Sequence, residues 1–294
     1  MSIFRGSGVA IVTPFNEEGI DFEAFEKNLD WQVENGTDAI IVCGTTGEAA
    51  TMSEEEQKQA IKFAVDKINK RIPVIAGTGS NNTAQVIKMS RFAEKVGADG
   101  LLIVNPYYNK STQKGIITHY YTIADAVSTP IIVYNVPGRT GMNITASTMF
   151  ELSKHKNIIG VKEASGNISQ ITEIAMLCGP KFDIYSGNDD HVVPLLSLGG
   201  VGVISVSANI IPKDMHDLVM KYLEGDVAGS LQLQLKTNIV NHALFYETNP
   251  IPVKTAMNLL GLKGGLLRLP LVDMEEKNLN RLKAALIEYG FDLD

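Results

Sequence analysis

Cysteine is almost missing from this sequence: Cys43 and Cys178 are the only two in 294 residues. Two cysteines make no disulfide framework, so a reduced, cytoplasmic protein is expected. No apolar run approaches the roughly 18 residues of a membrane span. The opening Met1-Ser2-Ile3-Phe4-Arg5-Gly6 lacks the apolar centre of a secretory signal. Basic runs are absent too. Lys and Arg number 26 against 33 Asp and Glu, a net charge of −7, which suits neither nucleic acid nor an anionic membrane. Several catalytic signatures are also missing. There is no G-x-x-x-x-G-K-[ST] and no G-x-S-x-G, and Gly77-Thr78-Gly79-Ser80-Asn81-Asn82 lacks the third glycine of a dinucleotide fingerprint. His119, His155, His191, His216 and His242 are scattered, with no H-x-H or H-E-x-x-H, so no zinc site is expected.

What is present is a series of short, β-branched apolar runs. They are Gly8–Thr13, Asp38–Cys43, Ile72–Ala76, Gly100–Val104, Pro130–Tyr134, Ile158–Lys162, Phe182–Tyr185 and Val201–Val206. Most are continuously apolar rather than alternating, as parallel strands buried on both faces are. Their starts lie roughly 20–35 residues apart, about the length of one strand–loop–helix unit. Between them, Ser53 and Glu56 form a capping box before a stripe of Ala60, Ile61, Ala64, Val65 and Ile68. A second stripe, Val86, Met89, Ala93 and Val96, ends at Gly97. Eight such units predict an α/β fold, a (β/α)8 TIM barrel, over a doubly wound sheet. The segments Leu218–Leu223, Leu231–Phe245, Val253–Leu262 and Asn278–Tyr289 read as helices. Residues 1–224 are therefore expected to form the barrel and 225–294 a helical extension packed on it, with no Ser/Gly-rich linker between.

In such barrels, chemistry sits at the carboxyl ends of the strands, where this sequence places its unusual residues. Lys162 ends the apolar run Ile158-Ile159-Gly160-Val161. Low-dielectric surroundings disfavour a charged amine, and a free amine attacks a keto carbon to form a Schiff base. The plainer alternative is a strand-end lysine paired with Glu163. Tyr134 ends the neighbouring run, and with Thr45, Thr46 and Tyr108 it could relay protons; the alternative is a core tyrosine. Arg139, after a Pro-Gly turn, suits bidentate capture of a carboxylate or, equally, a surface salt bridge. Gly187 and the Gly199-Gly200-Val201-Gly202 loop occupy the position of a barrel phosphate site but read better as tight turns. Cys43 reads as a buried hydrophobe, and Asp189-Asp190 as helix N-caps.

Taken together, Gly44-Thr45-Thr46-Gly47-Glu48, Pro106-Tyr107-Tyr108-Asn109, Tyr134 to Thr140 and Val161-Lys162-Glu163-Ala164 closely resemble the dihydrodipicolinate synthase family of Schiff-base aldolases. So do Tyr185-Ser186-Gly187-Asn188-Asp189 and Asn249 to Lys254, and the resemblance runs the length of the chain. It implies condensation of pyruvate with L-aspartate-4-semialdehyde in the diaminopimelate branch of lysine biosynthesis, with no cofactor. It implies a homotetramer built from two tight dimers. Carried over by motif, Lys162 forms the Schiff base. Tyr134, Thr45 and Tyr108 relay protons, with Tyr108 reaching into the neighbouring subunit's site. Thr46 contacts the pyruvate carboxylate and Arg139 the semialdehyde carboxylate, while Gly187 and Ile204 offer backbone contacts. Sialic-acid lyases and keto-deoxy sugar-acid aldolases resemble the chain at Tyr134 and Lys162 but generally lack the Gly138-Arg139-Thr140 turn. A non-catalytic barrel is the remaining alternative. At the positions where some family members bind inhibitory lysine, Asn81 and Tyr107 match, whereas Ala49, Glu54, Gln57 and Gln85 depart, so weak or absent lysine inhibition is expected.

Overall fold

The computed structural model describes residues 2–293. Eight parallel strands close into a barrel: Gly6–Ala10, Ala39–Val42, Val74–Gly77, Gly100–Val104, Ile131–Asn135, Ile158–Glu163, Asp183–Ser186 and Gly202–Ser205. The first pairs with both the second and the eighth, so no strand edge is left open. The unbroken apolar runs follow from this closure. Ile40, Val133 and Val161 face the outer helices, while Ile41, Ile75, Leu102, Ile132 and Ile204 fill the interior. Both faces of each strand are therefore apolar. Phe4 and Tyr185 stack, with centroids 4.5 Å apart, and join the interior cluster.

Outer helices follow the strands. Glu54–Ile68 starts with the Ser53/Glu56 capping box, and Thr83–Val96 ends at Gly97 in the left-handed region, both as expected. The first strand lies two to three residues earlier than predicted. Ile11 to Thr13 remain buried, but beyond Ile11 the backbone leaves the ladder: Val12 N–H donates to Asn209 Oδ1, and Thr13 hydroxyl donates to the Gly47 carbonyl. The short antiparallel pair Phe15–Asn16 and Gly19–Ile20 was not foreseen. The eighth outer helix is longer than predicted, Pro212–Leu223, and three more follow: Val227–Ala243, Ile251–Leu259 and Glu276–Tyr289. The first of these is tied to the barrel helix before it, with Ser230 hydroxyl donating to the Leu218 carbonyl.

One irregularity decides the register at the barrel mouth. The fifth and sixth strands pair Ile131 with Ile158, then Ile132 with Gly160, leaving Ile159 unmatched. From that point the sixth strand is shifted by one residue, so Lys162 rather than Val161 stands beside Tyr134. A one-residue shift exchanges the faces of a strand. Gly160 makes room for the irregularity: a Cβ there would sit 2.5 Å from the Asp183 carbonyl oxygen. Backbone cannot swing aside as a side chain does, so Gly160→Ala should destabilise the fold by roughly 1–3 kcal/mol. The urea midpoint measures this; an unchanged midpoint would mean that the strands have room for the methyl group.

Candidate active site

The fifth and sixth strands set the two candidate side chains, Tyr134 and Lys162, side by side. Lys162 is buried, and its Nζ lies 4.5 Å from the centroid of the Tyr134 ring. Among the described residues it joins no ion pair and no hydrogen bond. Glu163 is not its partner, because alternation turns that side chain outward. There it accepts from Asn135 Nδ2 at 3.0 Å and from the Ser165 backbone N–H at 2.8 Å. Burial pushes the Glu163 carboxyl up, against these bonds. The nearest structural alternative for Lys162 is thereby removed.

Gly187 serves close approach. A Cβ there would fall 3.2 Å from Lys162 Cε and 2.6 Å from Ala164 Cβ. Its N–H donates to the Glu163 carbonyl at 2.7 Å. Asp189 is not the expected cap. Its Oδ2 accepts from the backbone N–H groups of Val206 and Ser207 at 3.0 and 3.1 Å, holding the loop after the eighth strand. Burial raises its carboxyl, while those bonds and the Lys162 charge pull it down. Its Oδ1 is buried without a partner. Ile204 is fully buried on the eighth strand within the interior cluster.

A cavity of about 580 Å³ opens at the mouth, lined by Thr45, Tyr107, Tyr134 and Arg139 and reaching Gln57, Asn81 and Gln85 on the outer helices and their loops. Lys162 is not among its lining residues, whereas Tyr134, over whose ring the Lys162 amine lies, is. Arg139 lies in a short helical turn, Pro137–Thr140, and is exposed with no ion pair among the described residues, so the salt-bridge alternative fails. Tyr108 is elsewhere: it is 91% exposed, holds φ of 67°, and does not line the cavity. Cys43 is buried, and burial pushes its thiol up to about 12, which leaves no thiolate to act as a nucleophile.

Three residues of the site stand in the motifs that carry the resemblance but are given no role by the sequence. Glu48, at φ 53°, ends the Gly44–Glu48 loop and is fully buried against Lys254, Nζ to Oε1 2.7 Å. Lys254 also donates to the Thr13 carbonyl at 3.0 Å, and its Nζ lies 4.6 Å from the Phe15 ring centroid. Asn249 donates through Nδ2 to Thr46 Oγ1 at 3.0 Å, and its carbonyl accepts from Arg139 Nη2 at 3.1 Å. The helical extension thus fastens the threonine loop and the arginine from above. Lys254 had one visible signal, a single charge within the apolar run Ile251-Pro252-Val253-Lys254-Thr255-Ala256-Met257.

A closed parallel barrel with an unpaired, buried amine beside a tyrosine at its carboxyl end defines an enzyme of the Schiff-base aldolase class. Residues 3–289 match the dihydrodipicolinate synthetase family, and the chain belongs to it. It is 60% identical over 291 residues to a 4-hydroxy-tetrahydrodipicolinate synthase of Thermoanaerobacter sp., covering 99% of this chain and 98% of that one. It is 61% identical over 290 residues to the enzyme of that name from Clostridium novyi, covering 99% and 98%. The crystal structure of dihydrodipicolinate synthase from Aquifex aeolicus superposes with a TM-score of 0.97 at 44% identity, covering 99% of this chain and 100% of that one.

Removing one partner of a buried ion pair strands the other charge. Lys254→Met should therefore cost about 3–5 kcal/mol, whereas Lys254→Met combined with Glu48→Gln should recover most of it. Denaturant unfolding of both variants measures the difference; equal losses would mean that the pair carries no special weight.

Proposed function

We propose that this protein condenses pyruvate with L-aspartate-4-semialdehyde, using Lys162 as the nucleophile. The observation that carries this is the Lys162 amine, buried, unpaired and 4.5 Å from the centroid of the Tyr134 ring. The amine attacks the keto carbon of pyruvate, and loss of water from the carbinolamine gives the imine. Loss of a methyl proton then gives an enamine, whose carbon attacks the aldehyde of the second substrate, the resulting alkoxide taking up a proton; the amino group of that substrate then attacks the regenerated imine carbon and displaces the Lys162 amine. Tyr134 and Thr45, both at the cavity, carry the protons of these steps. Thr46 takes the pyruvate carboxylate, and Arg139, free of any anionic partner, takes that of the semialdehyde. The absence of a side chain at Gly187 lets its backbone lie close to Lys162, and the Gly187 and Ile204 backbones flank the substituted lysine. No metal or organic cofactor is invoked.

Tyr108 supplies the outer end of the relay to a neighbouring subunit. Its exposure and its absence from its own cavity support a crossing at the tight-dimer interface of a homotetramer. The working division of the chain is a catalytic barrel, 1–224, and a helical extension, 225–294. Among the described residues no helix is long and apolar enough to cross a membrane, and with the low cysteine content the reaction is assigned to the cytoplasm. The free guanidinium of Arg139 favours a carboxylate-bearing aldehyde over a polyhydroxylated one.

Borohydride with pyruvate should attach a pyruvate-derived mass to the peptide containing Lys162. Lys162→Ala should abolish it, and Tyr134→Phe should slow turnover by about 10²–10⁴-fold while preserving the fold. Mass spectrometry reads the first result; a label on any other lysine would overturn the assignment.

Feedback inhibition by lysine is weak or absent in this reading. Gln57 spends its amide on the Ala49 carbonyl at 2.8 Å. Glu54, the one carboxylate nearby that could replace the lost charge, is held down to about 2 by bonds to Lys58 and Lys88. No free carboxylate among these residues is left for lysine's ammonium. A steady-state assay should show half-inhibition only above about 1 mM L-lysine, where binding is worth about 4 kcal/mol; a lower value would contradict it.

A further inference from the structure

We infer that Asn249 sets the polarity of the Thr46 hydroxyl and so makes it a donor to the pyruvate carboxylate. This rests on the proposed role of Thr46. Both side chains are buried, at 2% and 5% exposure for Thr46 and Asn249. A hydroxyl has one proton and two acceptor lone pairs. Asn249 Nδ2 fills one lone pair at 3.0 Å. Among the described residues the Thr46 hydroxyl donates to nothing, so its proton is unspent at a buried position beside the site.

The amide could in principle face the other way, with Thr46 donating to Oδ1. The two orientations leave different groups stranded. With Nδ2 toward Thr46, Oδ1 and one of the two N–H groups are left without a partner. Reversed, two N–H donors would be stranded, and orphaned donors are rarer in folded proteins than under-satisfied carbonyl oxygens. The orientation with Nδ2 toward Thr46 strands fewer donors, and it turns the Thr46 proton away from Asn249 toward an arriving acceptor. A carboxylate is the acceptor that gains most, because a bond to a charged group is roughly twice as strong as a neutral one. The main-chain carbonyl of Asn249, which binds Arg139 at 3.1 Å, takes no part in this. Asn249 is thus a positioning residue for the first substrate, acting through Thr46.

Asn249→Asp replaces the donor by an acceptor in the same shape and draws the Thr46 proton inward. The concentration of pyruvate that half-saturates borohydride trapping on Lys162 should rise about 10–150-fold. The KM for the semialdehyde should stay near that of the unaltered enzyme, because the Arg139 contact is main-chain. Asn249→Leu, which removes the bond without reversing it, should give a smaller rise. With Thr46→Val already in place, Asn249→Asp should add little. An equal effect of Asn249→Asp with and without the Thr46 hydroxyl would overturn the inference, since the residue would then act through charge or general structure. An unchanged half-saturation in Asn249→Asp would also overturn it. Absence of trapping in the unaltered enzyme would instead overturn the Schiff-base reading itself.

Discussion

One unmatched residue in the sixth strand governs the chemistry of this barrel. Ile159 has no counterpart on the fifth strand, and everything after it is displaced by one. With regular pairing from Ile131 and Ile158, Val161 would stand beside Tyr134, and Lys162 would turn toward the outer helices. Irregularities of this kind recur next to active sites because they re-aim a side chain without rebuilding the sheet. Here the result is an amine in the barrel interior and a carboxylate, Glu163, outside it. The two adjacent charges of the sequence never meet, so the amine is not neutralised by its own neighbour.

A second constraint comes from the far end of the chain. The helical extension supplies Lys254, buried against Glu48, and Asn249, which touches both Thr46 and Arg139. Glu48 ends the threonine loop in a left-handed conformation that costs of order 1–3 kcal/mol. A buried ion pair and its carbonyl bonds hold it there. Thr46 and Arg139, the groups proposed to meet the two carboxylates, are thus tied to a segment lying some 200 residues after Thr46, as the Asn249 to Thr46 separation of 203 shows. The extension is part of the site rather than an appendage.

The strands were readable because closure buries both of their faces, which leaves unbroken apolar runs. The first was read two to three residues late because Ile11 to Thr13 stay buried while their polar groups turn to Asn209 and Gly47. The irregularity at Ile159 was unreadable for the same reason that the strand was readable: Ile158-Ile159-Gly160-Val161 has no alternation to mark a register. Lys162, Tyr134 and Arg139 could be found because each ends an apolar run or follows a turn. Asp189 was misread, since a loop acid looks like a cap until the Val206 and Ser207 backbone is seen to approach it. Asn249 and Glu48 act through partners distant in sequence, which no local pattern reports.

The central claim is that Lys162 is the covalent nucleophile and that its surroundings hold the pyruvate carboxylate against Thr46. A crystal structure after soaking with pyruvate tests both parts at once. The account predicts continuous density from Lys162 Nζ to the keto carbon, with a carboxylate oxygen within hydrogen-bonding distance of the Thr46 hydroxyl and Asn249 Nδ2 still against Thr46 Oγ1. Pyruvate bound without a bond to Lys162, or joined to another lysine, would contradict it.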